Sequence, residues 1–532
     1  VRCTGCAYSH TLMEMKKVWI ITLGFLMGNI TGTAGQDLER ILWDNPWQNG
    51  LASAGMAFSD RNYSDISLLA GYRGGEFRNI YDPAASYLYG MQTRSYRKLG
   101  KTTLSGTFSY SYEDRKVQRW LGILDPYRTP FMLADSVAGN YVLESYHMDA
   151  GMAYPVSGKW TLGCRISYDA RNGAKYRDLR NSDTYMDFMV APSVVYENGP
   201  ARIGAHLYFR RITEQIDYTQ VETSTNKVLF SFSGMWFNTQ QVYTSSAPGT
   251  RLLRDHLYGG GITLHYRPGR FSLFDHFSAG IRNQTQREDV VLARRYGDVS
   301  EWSWQNTLML YYTNRHRIKA DVSWTGQRGF QPVQRQELNQ TSRLWEWVQY
   351  GTIPSFVQER TFMDISYSYR IAQDEHYDRW RVTAGISRAL FSQQWIKYPL
   401  AVQRSLELTQ AYALVSRSWF VRRWIIDLSP GISYVAGQLE ETTPEELLEA
   451  QILHNIGFEN PEDFRLWEPA GVENDFMTGK RIAAGIKIRV TFFANPSKGL
   501  NLFAETGYRY TRRLSGNNKM FHEAGLNIGV IF

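Results

Sequence analysis

Long hydrophobic runs are missing from this chain. Beyond residue 27 no stretch reaches 18 consecutive apolar residues, which excludes membrane-spanning helices. Cysteine is nearly missing too: Cys3 and Cys6 stand at the very start, and Cys164 is the only other thiol. One thiol beyond residue 35 allows no intramolecular disulfide. The C-x-x-C spacing of Cys3 and Cys6 has the form of metal and redox sites, but both lie upstream of the cleavage point expected below. Catalytic signatures are absent as well. No G-x-S-x-G, H-E-x-x-H, P-loop or CxxC pair occurs after residue 35. His147, His206, His256, His276 and His522 fall on separate predicted strands, without the nucleophile, base and orienter that a catalytic site brings together. Asp374-Glu375-His376-Tyr377-Asp378 has a metal-like composition but sits in a predicted turn. We therefore expect no enzyme activity, no cofactor and no metal site.

What the chain does have is aromatics and alternation. Aromatic residues make up 14% of it, with 34 Tyr and 16 Trp. The mean hydropathy of −0.40 and a 21% charged content would suit a soluble protein. They suit a transmembrane β-barrel equally, because only every second residue faces lipid and aromatic girdles mark both interfaces. From Lys519 the sequence KMFHEAGLNIGVIF sets Ala524, Leu526, Ile528, Val530 and Phe532 on one parity and Glu523, Gly525, Asn527 and Gly529 on the other. Leu526, Ile528, Val530 and Phe532 resemble the C-terminal signal that bacterial outer-membrane proteins present to their insertion machinery. At the other end, Met15-Lys16-Lys17, the apolar run 18–27 and Thr33-Ala34-Gly35 form a secretory signal pattern. The run is too short to span a membrane, and no Cys follows it to carry a lipid anchor. Cleavage is expected near Ala34 or Gly35, and residues 1–14 read as translation upstream of the start. The net charge of +8 is spread along the chain, and secretion argues against a nucleic-acid partner.

Alternating stretches recur at 63–73, 86–97, 101–113, 143–154, 158–169, 185–196, 200–211, 253–266, 270–283, 301–313, 317–327, 360–371, 378–389, 403–416, 421–436, 480–493, 499–511 and 518–531. The fold class is thus all-β: an antiparallel barrel of about 18 strands, within a range of roughly 16–20. Short connections carry Gly, Pro and Asn, as in Glu197-Asn198-Gly199-Pro200, Arg267-Pro268-Gly269 and Asn495-Pro496-Ser497. They alternate with long ones, which assigns short turns to the periplasm and long loops to the outside. An even strand count puts both termini in the periplasm. The organisation expected is 1–35 upstream segment and signal, 36–61 periplasmic lead-in or small hatch, and 62–532 barrel.

Parity assigns faces. Trp160, Leu162, Cys164, Ile166 and Tyr168 turn to lipid, as do Ile203, Ala205, Leu207 and Phe209, and Ile482, Ala484, Ile486, Ile488 and Val490. The opposite parity gives Arg165, Asp169, Arg202, His206, Arg210, Asp364, Arg370, Arg481, Lys487, Arg489, Glu505, Arg509 and Glu523 as lumen-lining candidates. These charges either line a wet channel and set its ion preference or pair across strands and satisfy a polar interior. Arg481, Lys487 and Arg489 are the best candidates for a positive wall, which would favour anions.

Asp44-Asn45-Pro46-Trp47, Ser109-Tyr110-Ser111-Tyr112-Glu113-Asp114-Arg115 and Arg177-Asp178-Leu179-Arg180-Asn181 resemble an uncharacterised outer-membrane β-barrel family of the Bacteroidota, porin- or channel-like. The resemblance spans nearly the whole chain after the signal. It implies location and fold, and brings no catalytic residues and no substrate.

Residues 36–61 are too few for the plug of a TonB-dependent receptor, which is on the order of a hundred residues inside a barrel of about 22 strands. They form either a disordered lead-in or a small lumenal hatch. A hatch of this kind is implied by a similarity of the Asn45-Pro46 start to the fatty-acid channel family. Loop 437–479 is strongly acidic, and Thr443-Pro444-Glu445-Glu446 has the form of a helix start. Leu447, Leu448, Ile452, Leu453 and Ile456 share a face of that helix, and Asn460-Pro461-Glu462-Asp463 opens a second one. The apolar face needs cover from neighbouring loops, the lumen or a partner. In loop 212–252, residues 228–232 and 235–237 read as a hairpin, or as two further strands. Trp345, Trp347 and Tyr350 read as packing within an outer loop, with sugar or lipid stacking as the other reading.

The leading functional expectation is a passive channel or diffusion transporter for small polar or anionic solutes. Two alternatives stand beside it: an accessory barrel docking a surface lipoprotein or receptor through its outer loops, and a hatch-gated transporter of amphiphiles. Outer-membrane lipid and the insertion machinery are the expected partners in each case.

Overall fold

A computed structural model describes residues 42–532, apart from 60–61, 223–226, 233–237, 244–248, 290–292, 374–376, 398–399, 443–466, 496–498 and 517–518. The signal region, the helix starts at Thr443 and Asn460, and Asp374-Glu375-His376 lie outside the described residues.

Eighteen antiparallel strands close into a barrel. They are β1 (Tyr63–Gly75), β2 (Ala85–Leu99), β3 (Thr102–Gln118), β4 (Gly139–Pro155), β5 (Trp160–Lys175), β6 (Arg180–Asn198), β7 (Ala201–Thr219), β8 (Gly249–Tyr266) and β9 (Phe271–Asp289). The second half runs β10 (Arg294–Tyr312), β11 (His316–Leu338), β12 (Trp345–Ala372), β13 (Asp378–Lys397), β14 (Leu400–Val421), β15 (Trp424–Thr442), β16 (Arg481–Asn495), β17 (Leu500–Arg513) and β18 (Met520–Ile531). Each strand pairs with its neighbours in sequence, and β18 pairs with β1 to close the wall, Asp65 opposite Ile531. Every predicted strand overlaps an observed one. The reason is local: period-two alternation is the condition for standing between lipid and a polar interior.

Turn chemistry at residues 197–200 and 267–269 falls where it was expected, and residues 496–498 lie outside the described residues. Gly100, Gly199 and Gly269 adopt positive φ in the short turns, as does Asn314. Exposed aromatics gather near those turns on the outer surface: Trp160 packs against Tyr196 and Trp424 against Phe492 at a tilt, with Tyr266 and Tyr312 at the same end. Tyr72 and Tyr87 form a matching pair near the loop end. These are the interfacial positions where amphipathic rings are most stable. Among the described residues no helix is long and apolar enough to cross a membrane. The chain is an outer-membrane β-barrel.

Two departures from the sequence reading concern the loops. Strands β11 and β12 run for 23 and 28 residues, where about ten span the lipid. Most of the expected loop 328–359 is therefore a ribbon standing outside the membrane. Its pairing continues because ladder hydrogen bonds need no lipid, and lipid alternation is not required there. Trp345 and Tyr350 on this ribbon are more than half exposed, while Trp347 lies under the Arg294 guanidinium. The hairpin in loop 212–252 is present, but its second strand is residues 238–243, and residues 133–134 pair with the first to complete a small sheet. Among the described residues it adds no membrane strands.

Candidate functional site

The functional question is what the barrel encloses. Residues 42–59 precede β1 and pack inside the wall at the short-turn end. Asn45 sets their geometry: its side chain accepts from the Trp47 amide and donates to the Gly55 carbonyl, at 3.3 and 3.2 Å. Pro46 follows at the first position of a 3₁₀ turn, Pro46–Asn49, where its missing N–H costs nothing. A second turn, Ser53–Phe58, continues the segment.

Trp47 is the centre of this inner plug. Its indole N–H donates to His265 Nδ1 at 3.0 Å, and its ring meets the Phe274 edge at 5.6 Å. Gly204 of β7 makes room: a Cβ there would lie 2.5 Å from the indole. Gly163 of β5 similarly admits the Ala54 backbone. Wall polar groups complete the seat. Ser193 Oγ lies 3.2 Å from Ser53 Oγ and accepts from the Ala54 amide. Arg165, paired with Asp149, also donates to the Gly50 carbonyl. Tyr96 donates to the Met56 carbonyl, and the Arg202 guanidinium lies 3.8 Å from the Phe58 ring centroid. Trp43 donates to Asn314 of the β10–β11 turn and lies between Arg317 and Arg370. Arg370 in turn pairs with Asp44 at 3.0 Å.

A second insertion comes from the opposite end. Residues 119–138, between β3 and β4, reach the far wall. The Leu124 amide donates to Glu214 at 2.7 Å. Arg128 pairs with Glu214 and lies 3.6 Å from Asp255. Its carbonyl accepts from Arg282, and Thr129 accepts from Gln286. Phe131 fills the space over Gly297, where a Cβ would approach to 2.6 Å. Leu124 of this outer plug and Leu51 of the inner one join a single apolar cluster with Tyr185, Met189, Tyr208, Ile212 and Leu257. The two insertions therefore pack against the same patch of wall.

Helix α1 (Trp467–Thr478) completes the outer closure. Phe476 and Met477 pack with Phe77, Phe391, Leu406, Leu408 and Phe521. The Tyr127 hydroxyl donates to Glu473 and accepts from Asn79. Burial, and then the Glu473 carboxylate, push that hydroxyl well above its ordinary pKa.

The lumen candidates named from parity divide into groups. Arg165, Arg202 and Arg370 hold the inner plug, as described. His206 stacks on His276, with ring centroids 5.3 Å apart. Arg210 pairs with Asp187, His147 with Asp169, and Asp364 accepts from Ser387 and Tyr412. Arg481 donates to the Phe476 carbonyl and faces Phe77 and Phe476. Lys487 and Arg489 share Glu505, and Arg509 pairs with Glu523. Val530 and Leu526 lie in β18 opposite Ile66 and Ala70, and Phe532 donates its amide to the Ser64 carbonyl.

Sequence reasoning did not name Trp43, Trp47, Arg128, Glu214 or Asp255 as site residues. A signal for the inner plug was present in the wall. Gly163 and Gly204 sit at inward parity beside Arg165 and Arg202, and an isolated strand glycine marks a close approach by something else.

A family described as "Family of unknown function (DUF6850)" matches residues 53–532. No curated protein matches the chain in sequence. Among solved structures, the barrel is similar in shape to the RagAB peptide transporter (7% identity, TM-score 0.42, covering 88% of this chain and 87% of that one). It is also similar to the ferric yersiniabactin uptake receptor FyuA from Yersinia pestis (8%, 0.39, 89% and 80%) and to the copper transporter OprC (8%, 0.38, 87% and 81%).

Proposed function

The chain belongs to the family of unknown function DUF6850, so its role has to be read from its own lumen, and we propose that it is a gated outer-membrane transporter. Residues 42–59 act as a hatch at the periplasmic mouth, and residues 119–138 close the barrel from outside. The observation that carries this reading is the seat of Trp47, buried against Gly204, Phe274 and His265. A wet passive channel would leave the wall arginines to solvent, whereas Arg165, Arg202 and Arg370 here bind the hatch. Among the described residues, no strand pairing or disulfide ties residues 42–59 to the wall. Their contacts are hydrogen bonds, cation–π contacts and packing, which can be released together without opening the barrel.

The test is a reversible lock. Ser53→Cys and Ser193→Cys, introduced with Cys164→Ser, place two thiols where the hydroxyls lie 3.2 Å apart, within reach of a disulfide. In a planar bilayer the reduced protein should give intermittent conductance steps, and oxidation should abolish them reversibly. Steps that persist after complete oxidation would show ions bypassing residues 42–59, and the hatch reading would fail.

A further inference from the structure

The outer plug offers one guanidinium to a wall that suits a cation. Strands β6 and β7 set Tyr185 directly opposite Glu214, and β8 adds Asp255 opposite Ile212 of β7. Glu214 and Asp255 are fully buried. Among the described residues, neither oxygen of Asp255 accepts a hydrogen bond. Arg128 is the one cation within ion-pair distance of these two carboxylates among the described residues. Its guanidinium also lies 5.4 Å from the Tyr185 ring centroid. Of the neighbouring wall cations, Arg210 pairs with Asp187, Arg251 with Glu288 and Arg282 with Glu301, while Arg171 also lies over the Tyr185 ring at 5.1 Å, so the carboxylates rather than the ring are left to the plug's cation.

Arg128 is not part of the wall. It belongs to the segment that must leave if the lumen is to open outward. Its departure leaves two carboxylates facing the opened lumen without their counter-charge. A pair of carboxylates beside an aromatic face is chemistry that binds guanidinium and ammonium groups, through charge-assisted hydrogen bonds and cation–π attraction. An anionic solute would meet repulsion at the same place.

We propose that the transported solute is cationic, carrying a guanidinium or primary ammonium group, and that Glu214 and Asp255, beside Tyr185, form its binding site. Arg128 occupies that site while the outer plug is closed. Solute and plug then compete for one place, so solute binding favours the open outer state. This deepens the gated-transporter reading and rests on the part of it in which residues 119–138 move.

The experiment uses residues 36–532, which lack Cys3 and Cys6, in detergent micelles, with agmatine as the cationic probe and glutarate as the anionic control. Thr129→Cys in a Cys164→Ser background reports plug opening by its rate of maleimide labelling. Agmatine at saturation should raise that rate at least tenfold, and glutarate at equal concentration should leave it unchanged. In Glu214→Gln/Asp255→Asn the rate should be high from the start and insensitive to agmatine. An unchanged rate with agmatine, or an equal rise with glutarate, overturns the proposal. Calorimetry on Arg128→Gln, checked for folding by heat-modifiability, is the second measurement: agmatine should bind at least tenfold more tightly than to the parent chain. Equal affinity also counts against the proposal. Repeating the labelling with the Ser53–Ser193 lock oxidised separates the two readings. Agmatine should still accelerate labelling there, so the hatch and the cation site can fail independently.

Discussion

Trp47→Ala is expected to turn a barrel that is mostly closed into one that conducts for much of the time. The ring lies in a pocket made by Gly55, Gly204 and Phe274 and donates to His265. Truncating a buried aromatic costs about 3–5 kcal/mol, and every 1.4 kcal/mol is about tenfold in an equilibrium. If that cost falls on the closed state alone, the open-to-closed ratio rises by on the order of a hundredfold or more. Trp47→Phe keeps most of the packing and loses the indole donor, which is worth about 1 kcal/mol. Its effect should be under tenfold. Single-channel open probability reads both. Parent-like behaviour in Trp47→Ala would show that the remaining contacts hold residues 42–59 without the indole.

Glu214→Gln is expected to release the outer plug while leaving the barrel intact. Glu214 accepts from the Leu124 amide and pairs with Arg128, so it anchors two points of residues 119–138. Removing one partner of a buried ion pair costs about 3–5 kcal/mol. Here that cost is relieved if Arg128 moves out to solvent. Trypsin added from outside should then cleave after Arg119 or Arg128 at least a hundredfold faster than in the parent chain. Heat-modifiability should persist, because the ladder around the wall is untouched. Resistance equal to that of the parent would place the anchor elsewhere, with Phe131 over Gly297 as the next residue to truncate.

The barrel was legible in the sequence, whereas for its contents the sequence left residues 36–61 open between a lead-in and a hatch and did not show the plug at 119–138, for a physical reason. A wall strand states its position locally: Ile203, Ala205, Leu207 and Phe209 alternate with Arg202, Gly204, His206 and Arg210, and only a membrane wall rewards that pattern over so many strands. The plugs rest on contacts such as Trp47–His265 and Arg128–Glu214, which join distant parts of the chain. Neither plug has a periodicity of its own. Parity also could not tell what an inward charge would meet. Arg165 and Arg370 reach the hatch, whereas Arg481 reaches the backbone of α1. Glycines at inward positions were the one local trace of a foreign body, because a position without a side chain among charged neighbours leaves room for one from elsewhere.

The wall itself is uneven around its circumference. The closing strands β1 and β18 are 13 and 12 residues long, and their pairing joins Asp65 to Ile531, nearly the two ends of the described chain. Contacts this remote in sequence carry the largest loop-closure entropy and form late. The seam is therefore expected to be the last part of the wall to zip and the first to fray. Residues 42–59 lean on β6, β8 and the β10–β11 turn, through Ser193, His265 and Asn314, so opening at the seam leaves those contacts in place. Amide exchange should be fastest across β1 and β18 and slowest along the long β11–β12 ladder within the membrane.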